Sequence, residues 1–419
     1  MGDAAASKPG QLDPSFADDG RRLTDVGGRN DQARAATVAP GRILVGGSAR
    51  LRGDTPEKPV PAVVSYTRKG ALDRSFSHDG RRVIQRLGGV YRSEVGAILV
   101  RPGSTRVVLA GTAVDDVFAG RLRERGSFDR SFASNGLRRI PIEGLPTVED
   151  AALASNGRIL LVGHTENLAT GEVKLFAIRL RRNGEPDATF DEDGVVLTRF
   201  GQDAVVRGYG TAVQSDGRIV VVGEIGNNWI VARLMEDGSI DPTFGEAGVV
   251  YGAPRLVGPA RATAIANGRI VAAGTHFGGE GPKFAVARYF TNTAELDPAF
   301  GTNGIRYTAF EHGVPSDEVA ALVLEGRRRP LVLGTKQTSL SGPPARFAIA
   351  HYLPDGDLNA QFGRGGKASV SFPRASGARH RDLGAALLLQ SNGRIIVAGT
   401  SQSSDDDDDF AVARLFGPR

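Results

Sequence analysis

No cysteine occurs among the 419 residues, so a disulfide framework, a thiol nucleophile and Cys-ligated zinc are all excluded. The redox compartment stays open, because a chain without thiols suits any of them. No apolar run approaches the roughly 20 residues needed to cross a bilayer as a helix. The opening MGDAAASKPG lacks the apolar segment of a signal peptide, and so short a start before the first motif reads as a trimmed chain. Aromatic residues make up 6% with a single tryptophan, too few for a groove that stacks bases. Excess charge is scarce as well: 52 basic against 47 acidic residues leaves +5, and the arginines are spread over every repeat instead of lining one groove. Nucleic acid is therefore not an expected partner. No window carries a sustained helical period.

What the chain does have is one pentapeptide written seven times: LDPSF from Leu12, LDRSF from Leu72, FDRSF from Phe128, PDATF from Pro186, IDPTF from Ile240, LDPAF from Leu296 and LNAQF from Leu358. Self-similarity at a period near 58 residues sets the architecture before any other signal is read. Each unit continues through a Gly-containing turn, a short apolar run, a small-residue stretch, a GRIxVxG-type run and a last apolar run such as WIVARL from Trp229. Four runs rich in Val, Ile and Leu, bounded by Gly, Asp and Asn, predict four short antiparallel strands per unit.

Seven such units predict an all-β, seven-bladed β-propeller, in which radial repetition leaves only short protected edges. A solenoid would need atypical capping repeats; here the chain ends complement each other. The first outer strand, near Arg21 to Val26, is expected to complete the last blade and remove its open edge. Length alone suggests two or three domains, but a closed ring predicts a tail at residues 1–11 and one propeller domain at 12–419, with a monomer expected. Small residues recur where the innermost strands converge: Ala35-Ala36, Gly96-Ala97, Ala151-Ala152, Gly210, Ala262, Ala320-Ala321 and Gly384-Ala385. They read as steric necessities around a narrow axis.

The LDxSF, DG and GRIxVxG elements (GRILVG at Gly41, GRILLVG at Gly157, GRIVVVG at Gly217, GRIVAAG at Gly268, GRIIVAG at Gly393) resemble the delta-60 repeat family of bacterial propellers. Repeats two and six depart, with STRVVLAG at Ser104 and RRRPLVLG at Arg327. The resemblance implies an extracellular or cell-surface setting and supplies no catalytic motif.

The repeat itself acts as a control on candidate residues. Asp13, Asp73, Asp129, Asp187, Asp241 and Asp297 hold one place in the unit, and Arg121, Arg179, Arg233, Arg288 and Arg414 hold another. In the sixth unit the pair becomes His351 and Asn359, a joint change that predicts a structural Arg–Asp pair. Trp229 stands where other units place Phe118, Phe176, Phe284, Phe347 and Phe410, so core is expected there.

Function is expected where the units disagree, on the loops that precede the first and third strands. His164, His276, His312 and His380 fall on that face. Acids precede the inner strand at Asp31, Glu94, Asp150, Asp317 and Asp382, whereas units four and five offer Arg207 with Tyr209, and Arg261. Arg207, Tyr209, Arg261 and His276 are the ligand-binding candidates. An arginine notch beside carboxylates suits an anionic or polyhydroxylated ligand. The catalytic candidates are His276, His164, His380, Asp150, Asp317 and Asp382. No cofactor or metal is expected, with calcium at Asp405 to Asp409 kept as the alternative: five consecutive carboxylates in a strand-like segment cannot all turn inward, which favours a solvated loop. Two readings stand: a binding module for a polysaccharide or protein, and a carbohydrate-active enzyme (glycosidase or polysaccharide lyase) at the channel mouth. A flat face would favour the first. A deep polar pocket joining His276, Arg207 and Arg261 to an acid would favour the second.

Overall fold

In the computed structural model the described residues are 8–51, 59–87, 93–154, 156–200, 205–252, 255–279, 281–310, 317–337, 345–373, 381–404 and 407–418. Among them the apolar runs form seven four-stranded antiparallel sheets. Blades 1 to 7 begin with the innermost strands Gly28–Ala39, Ser93–Val100, Leu145–Leu153, Val206–Val213, Ala260–Ala266, Asp317–Glu325 and Asp382–Leu389. Within blades 1 to 6 strand order follows the sequence outward. Each innermost strand touches the next, and the seventh touches the first, so the sheets close into a ring. The seven-bladed propeller expected from the repeat is the fold.

Blade 7 takes its outer strand, Arg21–Thr24, from the other end of the chain, with Arg21 opposite Ala413 and Thr24 opposite Phe410. The second and third strands of every blade are buried on both faces, because blades pack face to face. That burial is why these runs are continuously apolar and not alternating. Trp229 is fully buried between blades 4 and 5, as the equivalent phenylalanines are in their blades.

The pentapeptide is the clasp at one end of each blade. Arg233 Nε donates to Asp241 Oδ2 at 2.7 Å, and the same bond joins Arg121 to Asp129 at 2.9 Å, Arg179 to Asp187 at 2.8 Å, Arg288 to Asp297 at 3.0 Å and Arg414 to Asp13 at 3.0 Å. The other aspartate oxygen accepts from the backbone N–H two residues on, as in Thr243 to Asp241 at 3.0 Å. The guanidinium lies over the motif phenylalanine, 4.4 Å from the Phe244 centroid in blade 4. It also donates to a carbonyl of the next blade, as Arg121 does to Arg182 at 3.0 Å. Burial alone would raise the Asp241 carboxyl; Thr243 and Arg233 hold it below the ordinary carboxylate range.

A second arginine, that of the GRI run, also reaches the motif acid: Arg158 to Asp187 at 2.7 Å, Arg269 to Asp297 at 2.6 Å and Arg394 to Asp13 at 2.7 Å. In blade 1 Ser65 replaces the third-strand arginine, and Arg42 lies 3.2 Å from Asp73. In blade 6 Asn359 bonds His351 at 3.0 Å, and Glu325 supplies the carboxylate 3.1 Å from the same ring.

Candidate functional site at the channel mouth

The opposite end of the blades builds a cavity from one repeated irregularity. Every innermost strand carries a β-bulge at the same place. The extra residues are Arg34, Gly96, Glu149, Tyr209, Arg261, Ala320 and Ala385, and all seven line a cavity of about 570 Å³ on the axis. A bulge re-aims its side chain out of the pleat. The same distortion drives a carbonyl against the second strand: a Cβ on Gly223 would stand 1.9 Å from the Arg207 oxygen, and one on Gly111 1.9 Å from the Glu94 oxygen. This is the physical reason for the glycine that ends GRIxVxG.

The residue after that glycine carries a second repeated device. Thr112, Thr275, Thr335 and Thr400 each accept, through the hydroxyl oxygen, the N–H of Val148, Val319, Gly384 and Ala33 in the next blade, at 3.0 to 3.2 Å. Blade 1 has Ser48 at this place. Blades 3 and 4 have His164 and Glu224 instead.

Those two departures meet the departures at the bulge. Tyr209 donates its hydroxyl to Glu224 Oε1 at 2.8 Å, and Arg207 Nη1 donates to the same oxygen at 3.1 Å. The Arg261 guanidinium lies 4.0 Å from the Tyr209 ring centroid, a cation–π contact. The His164 ring meets Tyr209 edge-on at 5.9 Å, and its Nδ1 lies 3.8 Å from Glu149 Oε1. Across the channel Arg34 pairs with Glu94 at 3.2 Å. Glu94, and behind it Glu149, hold the Arg34 guanidinium pKa above its ordinary value, against burial. Burial pushes the Tyr209 phenol up, Glu224 adds to this and Arg261 opposes it. Arg34 and Arg207 are thus ion-paired, whereas Arg261 has the Tyr209 face as its contact and no carboxylate partner among the described residues.

The five acids of the sequence reading occupy three different registers. Asp31, Asp317 and Asp382 stand three residues before the bulge, buried, and accept loop N–H groups from Val26 at 2.5 Å, Phe310 at 2.8 Å and Phe372 at 3.3 Å. Glu94 faces the channel. Asp150 follows the bulge and accepts from Thr211 N–H at 2.8 Å and Ala151 N–H at 2.8 Å. Burial pushes Asp150 up to about 6, with those two bonds opposing.

His276 lies away from the cavity lining. It accepts the Val257 N–H at 3.2 Å and meets the Tyr307 ring at a tilt, centroids 4.8 Å apart, and burial followed by Lys283 lowers its pKa. His312 and His380 lie outside the described residues, as do Asp405 and Asp406. Asp409, with Asp25 and Asp31, forms a carboxylate cluster whose oxygens lie within 4.8 Å of one another, at the seam of blades 7 and 1. Asp31 is already bonded there to loop backbone. Sequence reasoning missed Glu224 and Glu149. Glu224 was legible as a break in the Gly-Thr pair of the second strand, but Glu149 needed the bulge register.

Residues 154–190, 214–244 and 390–416 match the family described as a domain of unknown function (DUF5122) beta-propeller. Each stretch runs through a GRI run and third strand toward the pentapeptide region, so the match supports a β-propeller repeat family. No curated protein matches the chain. Among solved structures it is similar to Sqt1 from Chaetomium thermophilum at 12% identity and a TM-score of 0.50, covering 95% of this chain and 98% of that one. A protein of unknown function from Dyadobacter fermentans DSM 18053 aligns at 10% identity and a TM-score of 0.47 over 95% and 100% of the two chains. A GH43_1 enzyme from Xanthomonas citri aligns at 12% and 0.35 over 94% and 90%. Likeness at these identities concerns the fold alone.

Proposed function

We propose that the channel mouth binds an acidic, hydroxyl-rich ligand, such as an acidic sugar of a glycan, in an extracellular or cell-surface setting. The observation that carries this is the meeting of Glu149, Tyr209 and Arg261, bulge residues of blades 3 to 5 that line the axial cavity, with Arg207, His164 and Glu224, the last two standing where the other five blades keep Ser or Thr. Arg261, without an ion pair among the described residues and held over the Tyr209 ring, is the docking point for a carboxylate, sulfate or phosphate group. Glu149 and Glu94 accept sugar hydroxyls. A concave cavity with a few convergent polar groups suits a small ligand unit better than a flat protein surface. The delta-60 resemblance is consistent with this setting. Titration with a panel of acidic and neutral oligosaccharides tests the reading. Acidic members should bind and Arg261→Ala should remove that preference; equal affinity for neutral members would overturn it.

A hydrolytic reading has one specific observation in its favour, the 2.8 Å bond from the Tyr209 hydroxyl to Glu224. A phenol hydrogen-bonded to a carboxylate that Arg207 fixes is a nucleophile–base–orienter arrangement, and tyrosine nucleophiles occur among glycosidases. His164 beside Glu149 would be the acid. Product release from the same panel, lost in Tyr209→Phe with binding retained, is the expected result of this second reading.

A further inference from the structure

We infer that the face opposite the channel mouth carries a docking surface for an acidic polysaccharide, on blades 1 to 3. The inference is independent of the channel-mouth site. The turn after the third strand lies on this face in every blade, and its charge is divided by sector. Blades 1 to 3 read Arg68-Lys69, Arg123-Glu124-Arg125 and Arg181-Arg182, whereas the same turn is Met235-Glu236-Asp237 in blade 4 and Leu353-Pro354-Asp355 in blade 6. The third residue of the pentapeptide follows the same division. It is Arg74 and Arg130 in blades 1 and 2, and Pro14, Ala188, Pro242, Pro298 or Ala360 elsewhere.

Packing brings these charges together. Each turn lies over the motif of the preceding blade: Ser77 N–H donates to Arg125 O at 3.0 Å, and Ala133 N–H to Asn183 O at 2.6 Å. Arg125 is thus set beside the Arg74 motif and Arg182 beside the Arg130 motif. Arg101, which no other blade has, donates to Gly157 O at 2.6 Å. Burial, then Arg182 and Arg121 nearby, hold its pKa below the ordinary guanidinium value. Glu124 is engaged by Arg42 at 3.4 Å and Glu185 by Arg138 at 2.9 Å. Arg74, Arg125, Arg130 and Arg182 are exposed and form no ion pair among the described residues.

The chemistry of the patch selects the partner. None of the exposed large hydrophobic side chains falls in these turns, so the apolar centre of a protein interface is missing. There is equally no platform for stacking bases. Separate planar guanidinium groups spread over three blades match a linear polymer with an acid on successive units. Held this way, the propeller would lie on the polymer with its channel mouth outward.

The test uses the full chain, a heparin oligosaccharide as probe, and a DNA duplex and phosphatidylserine vesicles as alternatives. Heparin binding should weaken steeply with salt. The fourfold variant Arg74→Ser, Arg125→Ser, Arg130→Ser and Arg182→Ser should weaken it about 100-fold at low salt and reduce the log–log salt slope by about 3. Parent and fourfold variant are both compared in the Arg261→Ala background, which removes acidic-ligand binding at the channel mouth, so the heparin binding read is that of this surface. The four side chains are exposed, so the melting temperature should hold; if it does not, the Arg74→Ser/Arg182→Ser double variant, about tenfold weaker, is read instead. Heparin affinity within twofold of the parent in a folded variant would overturn the surface. Tighter binding to duplex or vesicles than to heparin would overturn the polysaccharide as its partner.

Discussion

At the clasp end of the blades, the motif aspartate meets at least two arginines in blades 2, 3, 4, 5 and 7. At the mouth end, the residue after the second-strand glycine is Ser or Thr in five blades and His164 or Glu224 in two. Both ends are stitched from blade to blade, one by guanidinium-to-carbonyl bonds and the other by threonine hydroxyls. They differ in which stitches the ring tolerates losing. Where a repeated bond is kept in nearly every blade, it serves closure and packing. Where two neighbouring blades give it up together and fill the space with groups that meet each other, the exchange serves something other than the scaffold.

Deleting residues 1–27 should have the largest effect, since it removes the outer strand of blade 7 together with Asp13 and Phe16. We expect aggregation and no cooperative melt, because blade 7 is left with an open edge. A truncated chain that melts like the parent would break the account of closure. Next, Arg233→Ala should cost about 3 kcal/mol in chemical denaturation, the scale for stranding a buried carboxylate. Adding Asp241→Asn should recover only part of this, because Arg218 also lies 3.3 Å from Asp241. Additive losses in the double variant would show that the clasp is not a coupled unit.

At the mouth, Arg261→Ala should weaken acidic-ligand binding by about 1.5 to 3 kcal/mol in a titration, with the melting temperature unchanged. Equal sensitivity of stability at the two ends would erase the distinction between them. Glu224→Thr restores the scaffold residue. It should gain about 0.5 to 1.5 kcal/mol of stability through a new bond to the inner strand of blade 5, while ligand binding falls.

Asp150 separates the two ends by pH instead of by substitution, its carboxyl raised by burial against the hydrogen bonds from Thr211 and Ala151. Its folded-state pKa of about 6 lies above the ordinary 3.8, so the native state holds the proton more tightly than the unfolded chain does. Stability from this group is therefore lost as pH rises between about 4 and 6. Asp241, whose pKa is lowered, has the opposite sign and loses its contribution as pH falls below the ordinary range. Denaturation curves at pH 4.5 and 7 should show a smaller fall for Asp150→Asn than for the parent; an equal fall would remove Asp150 from the account.

The sequence by itself determined the blade count, the strand content, the closure through Arg21–Thr24 and the Arg–Asp clasp, because each is a local pattern repeated at a fixed period. It also marked Arg207, Tyr209 and Arg261 as departures. It did not show that Tyr209, Glu224 and Arg261 meet, or that Asp31, Asp317 and Asp382 face loop backbone while Glu94 faces the axis. Those outcomes depend on the β-bulge, which shifts the side-chain register by one residue within a strand and leaves no trace in composition. His276 was placed on the right face yet stands off the axis, since sequence assigns a loop to a face but not a radius within it. The tertiary structure alone decided which departures share a cavity, because that depends on how seven bulged strands converge on one axis.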